Sequence, residues 1–266
     1  MPELPEVEAY RRLAERALHR PVDRVQVGDP RFVRGGATPR AVSGLLQGRL
    51  LGAVTRIGKL LVFDVMEKGG DSGPARLGLR FGMTGRLLVD GAPGVDALLY
   101  SSDRADPAWD RFALHFTDGG ALVVRDPRLL GGVHLDPDTA ALGPDALSLT
   151  PAQLRFALDR SAAPLKARLM DQARIAGVGN LIADEVLWRA GLAPGRAAGS
   201  LTPAEQRRLL HHLRRTLGDL LERGGSHTGD LMPERIPGGR CPRDGVELCR
   251  DVVGGRTTWW CPAHQR

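Results

Sequence analysis

The chain has 266 residues, 42% of them hydrophobic, and a formal net charge of +6. That is enough apolar material for a buried core in two lobes, and no apolar run approaches the roughly 20 residues that span a bilayer, so no membrane-spanning helix is predicted and a soluble cytoplasmic protein is expected. The charge is uneven: residues 1–150 carry 19 basic against 19 acidic side chains and residues 151–266 carry 18 against 12, which points to a polyanion met mainly by the C-terminal half.

The chain opens MPELPEVEAY, and Val7, Tyr10, Leu13, Ala14, Ala17 and Leu18 recur at helical spacing. Pro5 at the start and Glu6 and Glu8 in the first turn suit the positive end of a helix. Methionine before proline is normally trimmed, which exposes the secondary amine of Pro2. An α-amine titrates at about pH 8, so much of it is a free nucleophile at neutral pH. Its attack on an aldehyde-level carbon gives an iminium, a fixed positive charge that acts as an electron sink. Glu3 stands next to it as a general acid or base. Taken alone, the terminus reads first as a plain helix start.

Short segments in partial alternation follow: VDRVQV, GRLLGAVTRIG, KLLVFDV, RLGLRFG, GRLLVDG, RFALHFTDG and GALVVRDP, parted by Gly and Asp-Gly turns. They predict an antiparallel β-sandwich lobe over residues 1–132 with a flanking helix. VHLDPDTAALGPDALS reads as a linker, residues 133–150. PAQLRFALDRS, APLKARLMDQ and NLIADEVLWRAG are amphipathic, as is LTPAEQRRLLHHLRRTLGDLLERGG, where Thr202, Pro203 and Glu205 form a helix start and Gly224 a stop. These make a helical region over 151–225. The tail, 238–266, reads as a β-hairpin turning at Gly254-Gly255. The class is α+β.

Of 37 basic residues only Lys59, Lys68 and Lys166 are lysines, so lysine marks places where a compact ammonium matters. Lys68, in MEKGGDSG, reads as solvated surface. Lys166 precedes the turn IAGVGN, whose backbone N–H groups suit a phosphate, with Asn180 closing the turn; a purely structural helix connection competes with this reading. All three cysteines fall in the last 26 residues, which favours a metal over disulfides. Cys241-x2-Asp244 and Cys261-x2-His264 bracket the hairpin at a spacing suited to tetrahedral Zn²⁺, one per chain. Cys249 competes for the fourth position, and a metal-free hairpin held by Trp259 and Trp260 competes with both. Arg256, just past the turn, is placed to enter a groove or grip phosphate.

PELPEVE, RIGKLLVF, LKARLMDQARIAGVGNLIADEVL and GGRTTWWCPAHQ occur together in an order that resembles the Fpg/Nei family of DNA glycosylases, over essentially the whole chain. The resemblance implies a β-sandwich lobe, a helix–two-turns–helix domain and a zinc finger. It further implies a bifunctional DNA glycosylase/AP lyase of base-excision repair, a monomer acting on damaged duplex DNA at the nucleoid. Pro2 would attack C1′ of the damaged nucleoside and Glu3 would protonate the ring oxygen. Lys59 would contact phosphate and support catalysis, and Glu6 matches the second glutamate of the family's terminus. Lys166, Asn180 and Arg256 match phosphate-binding positions. Met83, Arg128 and Leu130 match the wedge that fills the hole left by an extruded nucleotide, although the third wedge is usually aromatic. Asp244 and His264 stand where the family has cysteines. The stretch SHTGDLMPERIPGGR is shorter than the loop that covers the base in members specialised for oxidised guanine. Formamidopyrimidine or oxidised purine is the favoured substrate, with oxidised pyrimidines, another lesion, or a non-catalytic damaged-DNA-binding protein as alternatives.

Overall fold

The computed structural model describes residues 2–67, 72–99, 101 and 104–266; Met1 and Lys68, and with Lys68 the reading of it as solvated surface, lie outside the described residues. The chain forms two compact units, one of Pro2 with Glu6–Thr139 and one of Glu3–Pro5 with Ala140–Arg266. No helix among the described residues is long and apolar enough to cross a membrane.

The N-terminal unit is a sandwich of two antiparallel sheets. Its strands are β1 (Val22–Val27), β2 (Leu50–Ile57), β3 (Leu60–Met66), β4 (Ser72–Arg80), β5 (Arg86–Val89), β6 (Ala92–Pro93), β7 (Asp110–Phe116), β8 (Ala121–Arg125) and β9 (Gly132–Leu135). The orders are β1-β7-β8-β5-β6 and β2-β3-β4-β9. Alternation places Phe112, Leu114 and Phe116 of β7 and Leu122 and Val124 of β8 in one core with Phe63, Leu77 and Leu79. Each such side chain contributes about 1.5–3 kcal/mol by leaving water. Helix α1 (Leu4–Ala14) packs Val7, Tyr10 and Ala14 into this core.

Three elements have no counterpart in the sequence reading, the two-residue strand β6 among them. Helix α2 (Pro39–Leu46) starts on Thr38, whose Oγ1 accepts from the Ala41 N–H, with Pro39 in its first turn. Strand β9 occupies Val133, His134 and Leu135, residues read as the start of a linker. They pair with β4, from Leu77↔Leu135 to Arg80↔Gly132, because β4 otherwise leaves an open edge.

The C-terminal unit contains α3 (Pro151–Leu158), α4 (Leu165–Leu169), α5 (Asn180–Ala190), α6 (Pro203–Glu222) and the hairpin β10 (Cys249–Val253) with β11 (Arg256–Trp260). Helix α6 has the predicted capping box: Thr202 Oγ1 accepts from Glu205 N–H at 3.3 Å and Glu205 Oε2 accepts from Thr202 N–H at 2.8 Å. Helix α5 is buried from Leu181 to Trp188. Ile182, Ala183, Val186, Leu187 and Ala190 lie on one face, in a core shared with α6, and the opposite face carries Asp184 and Trp188 toward β11. Leu4 belongs to this core. The hairpin turns through Gly254 (φ +58°) and Gly255 (φ +71°), and a Cβ at Gly254 would come within 2.8 Å of the Ala167 methyl on α4.

Candidate active site and metal centre

Pro2 and Glu3 are both buried. The Glu3 carboxylate caps α5: Oε1 accepts from Leu181 N–H at 2.9 Å and Oε2 from Ile182 N–H at 3.1 Å. The first N–H groups of a helix have no partner within it, and an anion is favoured there. The local N-cap, Gly179, offers no side chain, so the cap arrives from 178 positions away. A Cβ on Gly179 would collide with that carboxylate, which explains the second glycine of GVGN. The first turn of α5, directly after the glycine turn expected to receive a phosphate, thus spends two of its N–H groups on the chain's own carboxylate. Its closing residue is Gln172 rather than Asn180: Gln172 Nε2 donates to Met170 O (2.7 Å) and Val178 O (2.9 Å), and its Oε1 accepts from Gly177 N–H (3.0 Å). Asn180 heads α5, and its Oδ1 is buried without a hydrogen-bond partner among the described residues.

Lys166 corrects another expectation. It is fully buried, with Nζ 2.7 Å from Asp184 Oδ1 and donating to Thr257 O (3.0 Å) and Thr258 Oγ1 (2.8 Å). Asp184 Oδ2 accepts from Arg235 Nη2 (2.8 Å) and Trp259 N–H (3.2 Å). A phosphate reaches this ammonium only by breaking the ion pair. Burial pushes the Asp184 carboxyl up and the Lys166 ammonium down, while their mutual attraction opposes both shifts. The network fixes α4, α5 and β11 to one another immediately beside Arg256, which is exposed at the start of β11.

In the N-terminal unit, Lys59 occupies the two-residue turn between β2 and β3, where Gly58 supplies the positive φ (+58°). The turn is held by a residue the sequence did not single out. Arg56, 5% exposed, donates from Nη1 to Gly58 O (2.9 Å) and from Nε to Glu8 Oε2 (2.8 Å). Glu8 also accepts from Arg11 Nε at 2.9 Å. Burial raises its pKa, and the Arg56 and Arg11 bonds more than offset that, leaving it below the ordinary value. Glu6 is buried on α1.

Met83, Arg128 and Leu130 come together on two turns. Arg128 Nη1 lies 3.9 Å from Met83 Sδ, and Leu130 is 47% exposed, which rules out core packing for it. The 126–132 turn is organised around buried Asp126, which accepts from Thr84 Oγ1 (2.5 Å), Gly131 N–H (2.8 Å) and Arg128 N–H (3.2 Å). Arg34 braces it from outside, donating to Leu129 O (2.9 Å) and Gly131 O (3.3 Å).

The ligand atoms of Cys241, Asp244, Cys261 and His264 all lie within 4.8 Å of one another. Cys241 Sγ is 3.5 Å from Asp244 Oδ2 and 3.9 Å from His264 Nδ1, and Cys261 Sγ is 3.3 Å from Asp244 Oδ2. A tetrahedral zinc, with bonds of about 2.0–2.3 Å, spaces its ligands at about 3.5 Å, so the set fits. His264 Nε2 faces Trp188 O at 3.0 Å, leaving Nδ1 toward the cluster. Cys249 is excluded as the fourth ligand: it lies outside this group, paired with Trp260 in the hairpin. Burial pushes the Cys261 thiol up to about 11, a trend a divalent cation reverses by stabilising the thiolate.

Residues 1–133 match the formamidopyrimidine-DNA glycosylase N-terminal domain and residues 142–231 the formamidopyrimidine-DNA glycosylase H2TH domain. The chain belongs to the formamidopyrimidine-DNA glycosylase family. A formamidopyrimidine-DNA glycosylase of Thermus thermophilus is 37% identical over all of this chain and 98% of its own, and one of Symbiobacterium thermophilum 35% identical over 100% and 89%. The Lactococcus lactis Fpg in complex with DNA containing N7-benzyl-Fapy-dG superposes with a TM-score of 0.81 at 27% identity, covering both chains fully. The glycosylase-family sandwich and helical domain are those expected from the sequence. Both matched domains end before the Cys/Asp/His cluster, whose assignment therefore rests on its own geometry.

Proposed function

We propose that this chain, a DNA glycosylase of base-excision repair, excises ring-opened or oxidised bases from damaged duplex DNA with Pro2 as nucleophile. The observation that carries this is the buried Pro2-Glu3 pair, whose carboxylate is fixed on the first turn of α5. The unprotonated Pro2 nitrogen attacks C1′ as the C1′–N bond to the base breaks, and the N–H proton that Pro2 gives up leaves with the base. Glu3 delivers a proton to the ring oxygen, and the opened sugar stays on Pro2 as an iminium. That cation acidifies C2′–H, so loss of the C2′ proton expels the 3′ phosphate, and a second elimination expels the 5′ phosphate. Lys59, on its braced turn, supplies a positive charge to the phosphate backbone, as Arg256 does, and the neutral Asn180 amide offers it an N–H donor. Met83, Arg128 and Leu130 fill the gap left by the extruded nucleotide. The enzyme works as a monomer in the cytoplasm, one reaction centre per chain.

Incubating the processed protein with an abasic-site duplex and borohydride is expected to give a covalent protein–DNA adduct. No adduct would leave a damaged-DNA-binding protein without catalysis. The substrate favoured is formamidopyrimidine or oxidised purine. One feature favours oxidised pyrimidines instead: the short segment after α6 is tied to α5 through Glu185, which accepts from Asp230 N–H (3.1 Å) and Leu231 N–H (2.9 Å). A panel of lesion duplexes decides between them.

Cys241, Asp244, Cys261 and His264 would hold one zinc, whose role is to fix the hairpin. Metal analysis is expected to find one zinc per wild-type chain and none in Cys261→Ala, with weaker duplex binding by the variant. A zinc-free wild type of full affinity would refute the assignment.

A further inference from the structure

Several arginines of the C-terminal unit are neutralised in place. Arg189 bonds Glu185, Asp219 and Asp230, Arg196 bonds Glu205, and Arg223 bonds Asp230. The side chains of Arg155 on α3 and of Arg207 and Arg215 on α6 have no hydrogen-bond or ion-pair partner among the described residues. Arg214 donates one N–H to Leu149 O. These four and His211 line an open groove of about 1080 Å³ between α3 and α6 with a single acid, Asp159. Arg207, His211 and Arg214 fall at i, i+4 and i+7, one stripe of hydrogen-bond donors with an arginine at each end. The floor is apolar: Leu154, Leu201 and Leu210, between Pro151 and Pro203. On the same short helix α3, Phe156 is 74% exposed beside Ala152, Ala173 and Pro144, an apolar group of the kind that marks a contact surface. Helix α5 separates α6 from the hairpin that carries Arg256, so this basic groove is a different surface from the DNA-facing hairpin.

The geometry points to a docking groove for an acidic partner segment that carries apolar anchors. A phosphate backbone would satisfy the arginines and leave the leucine floor uncovered. A peptide with Asp or Glu flanking Leu or Phe satisfies both, and the Arg rim then selects it by charge. This goes beyond the excision reaction and does not depend on it.

The test uses the full chain and a fluorescein-labelled dodecapeptide of Asp and Glu with a Leu and a Phe four residues apart, followed by anisotropy. Saturable binding is expected, at least tenfold weaker when Lys replaces the peptide's acids or when its apolar residues become Ser. The double variant Arg155→Glu/Arg207→Glu should bind the acidic peptide at least tenfold more weakly while its melting temperature, duplex affinity and strand cleavage stay unchanged. Absence of saturable binding, or equal binding by the variant, overturns the proposal. So does a variant that loses affinity for undamaged duplex, since the groove is then a DNA contact. Because cleavage is measured on the same preparations, failure of the excision reading leaves the peptide result standing.

Discussion

Blocking the amine of Pro2 with an N-terminal extension, or replacing the residue with glycine, is expected to abolish the borohydride adduct and strand cleavage. The reaction needs a nitrogen lone pair that is free at neutral pH, and an α-amine supplies it where a lysine would be protonated. The secondary amine also yields an iminium that cannot lose its charge by shedding a proton. Glu3→Gln separates the two roles. It should slow base excision by about 10²–10⁴-fold while leaving more reaction at a pre-formed abasic site, where no base has to depart. Glutamine keeps one acceptor for Leu181 or Ile182 N–H but turns an NH₂ toward the other, so a stability loss of about 1–3 kcal/mol accompanies it. Melting curves and adduct yields on the same variants check both effects. An extended chain that still forms the adduct would remove Pro2 from the mechanism.

Asp184→Ala is expected to be among the most damaging single changes to stability. Asp184 holds two buried cations, Lys166 and Arg235, and the N–H of Trp259. Removing one partner of such a cluster leaves uncompensated charge in the interior, which costs about 3–5 kcal/mol and lowers the melting temperature on the order of 10 °C. Adding Lys166→Met should recover part of the loss, because one stranded cation is gone. If the two losses simply add, the pair is not coupled in the way its 2.7 Å contact implies. Duplex affinity should fall with Asp184→Ala as well, since Lys166 ties α4 to Thr257 and Thr258 of the strand that begins at Arg256.

What the sequence made legible follows from periodicity and punctuation. The Gly58-Lys59 turn, the Thr202 capping box and the Gly254-Gly255 hairpin are each specified within a few neighbouring residues, and the structure forms all three. The ion pair of Lys166 was not legible because its partner, Asp184, lies 18 positions on, inside the helix α5. In α5 even Asp184 and Glu185 are buried, since apolar packing covers one side and β11 the other. The choice of Asp244 over Cys249 needed the hairpin register, which spacing alone does not give. Arg56 gave no signal, being one arginine among many; only the structure shows it bridging Glu8 and Gly58.

The capping of α5 by Glu3 also orders events in time. The terminus leaves the ribosome first, yet the N–H groups that receive it belong to residues made 178 and 179 positions later. During that interval the terminus remains accessible for methionine removal. A chain stopped before Leu181 has nowhere to seat Glu3, so an unfinished polypeptide cannot hold that carboxylate in order. Glu3 is made long before its partners and is among the last residues to be fixed in place.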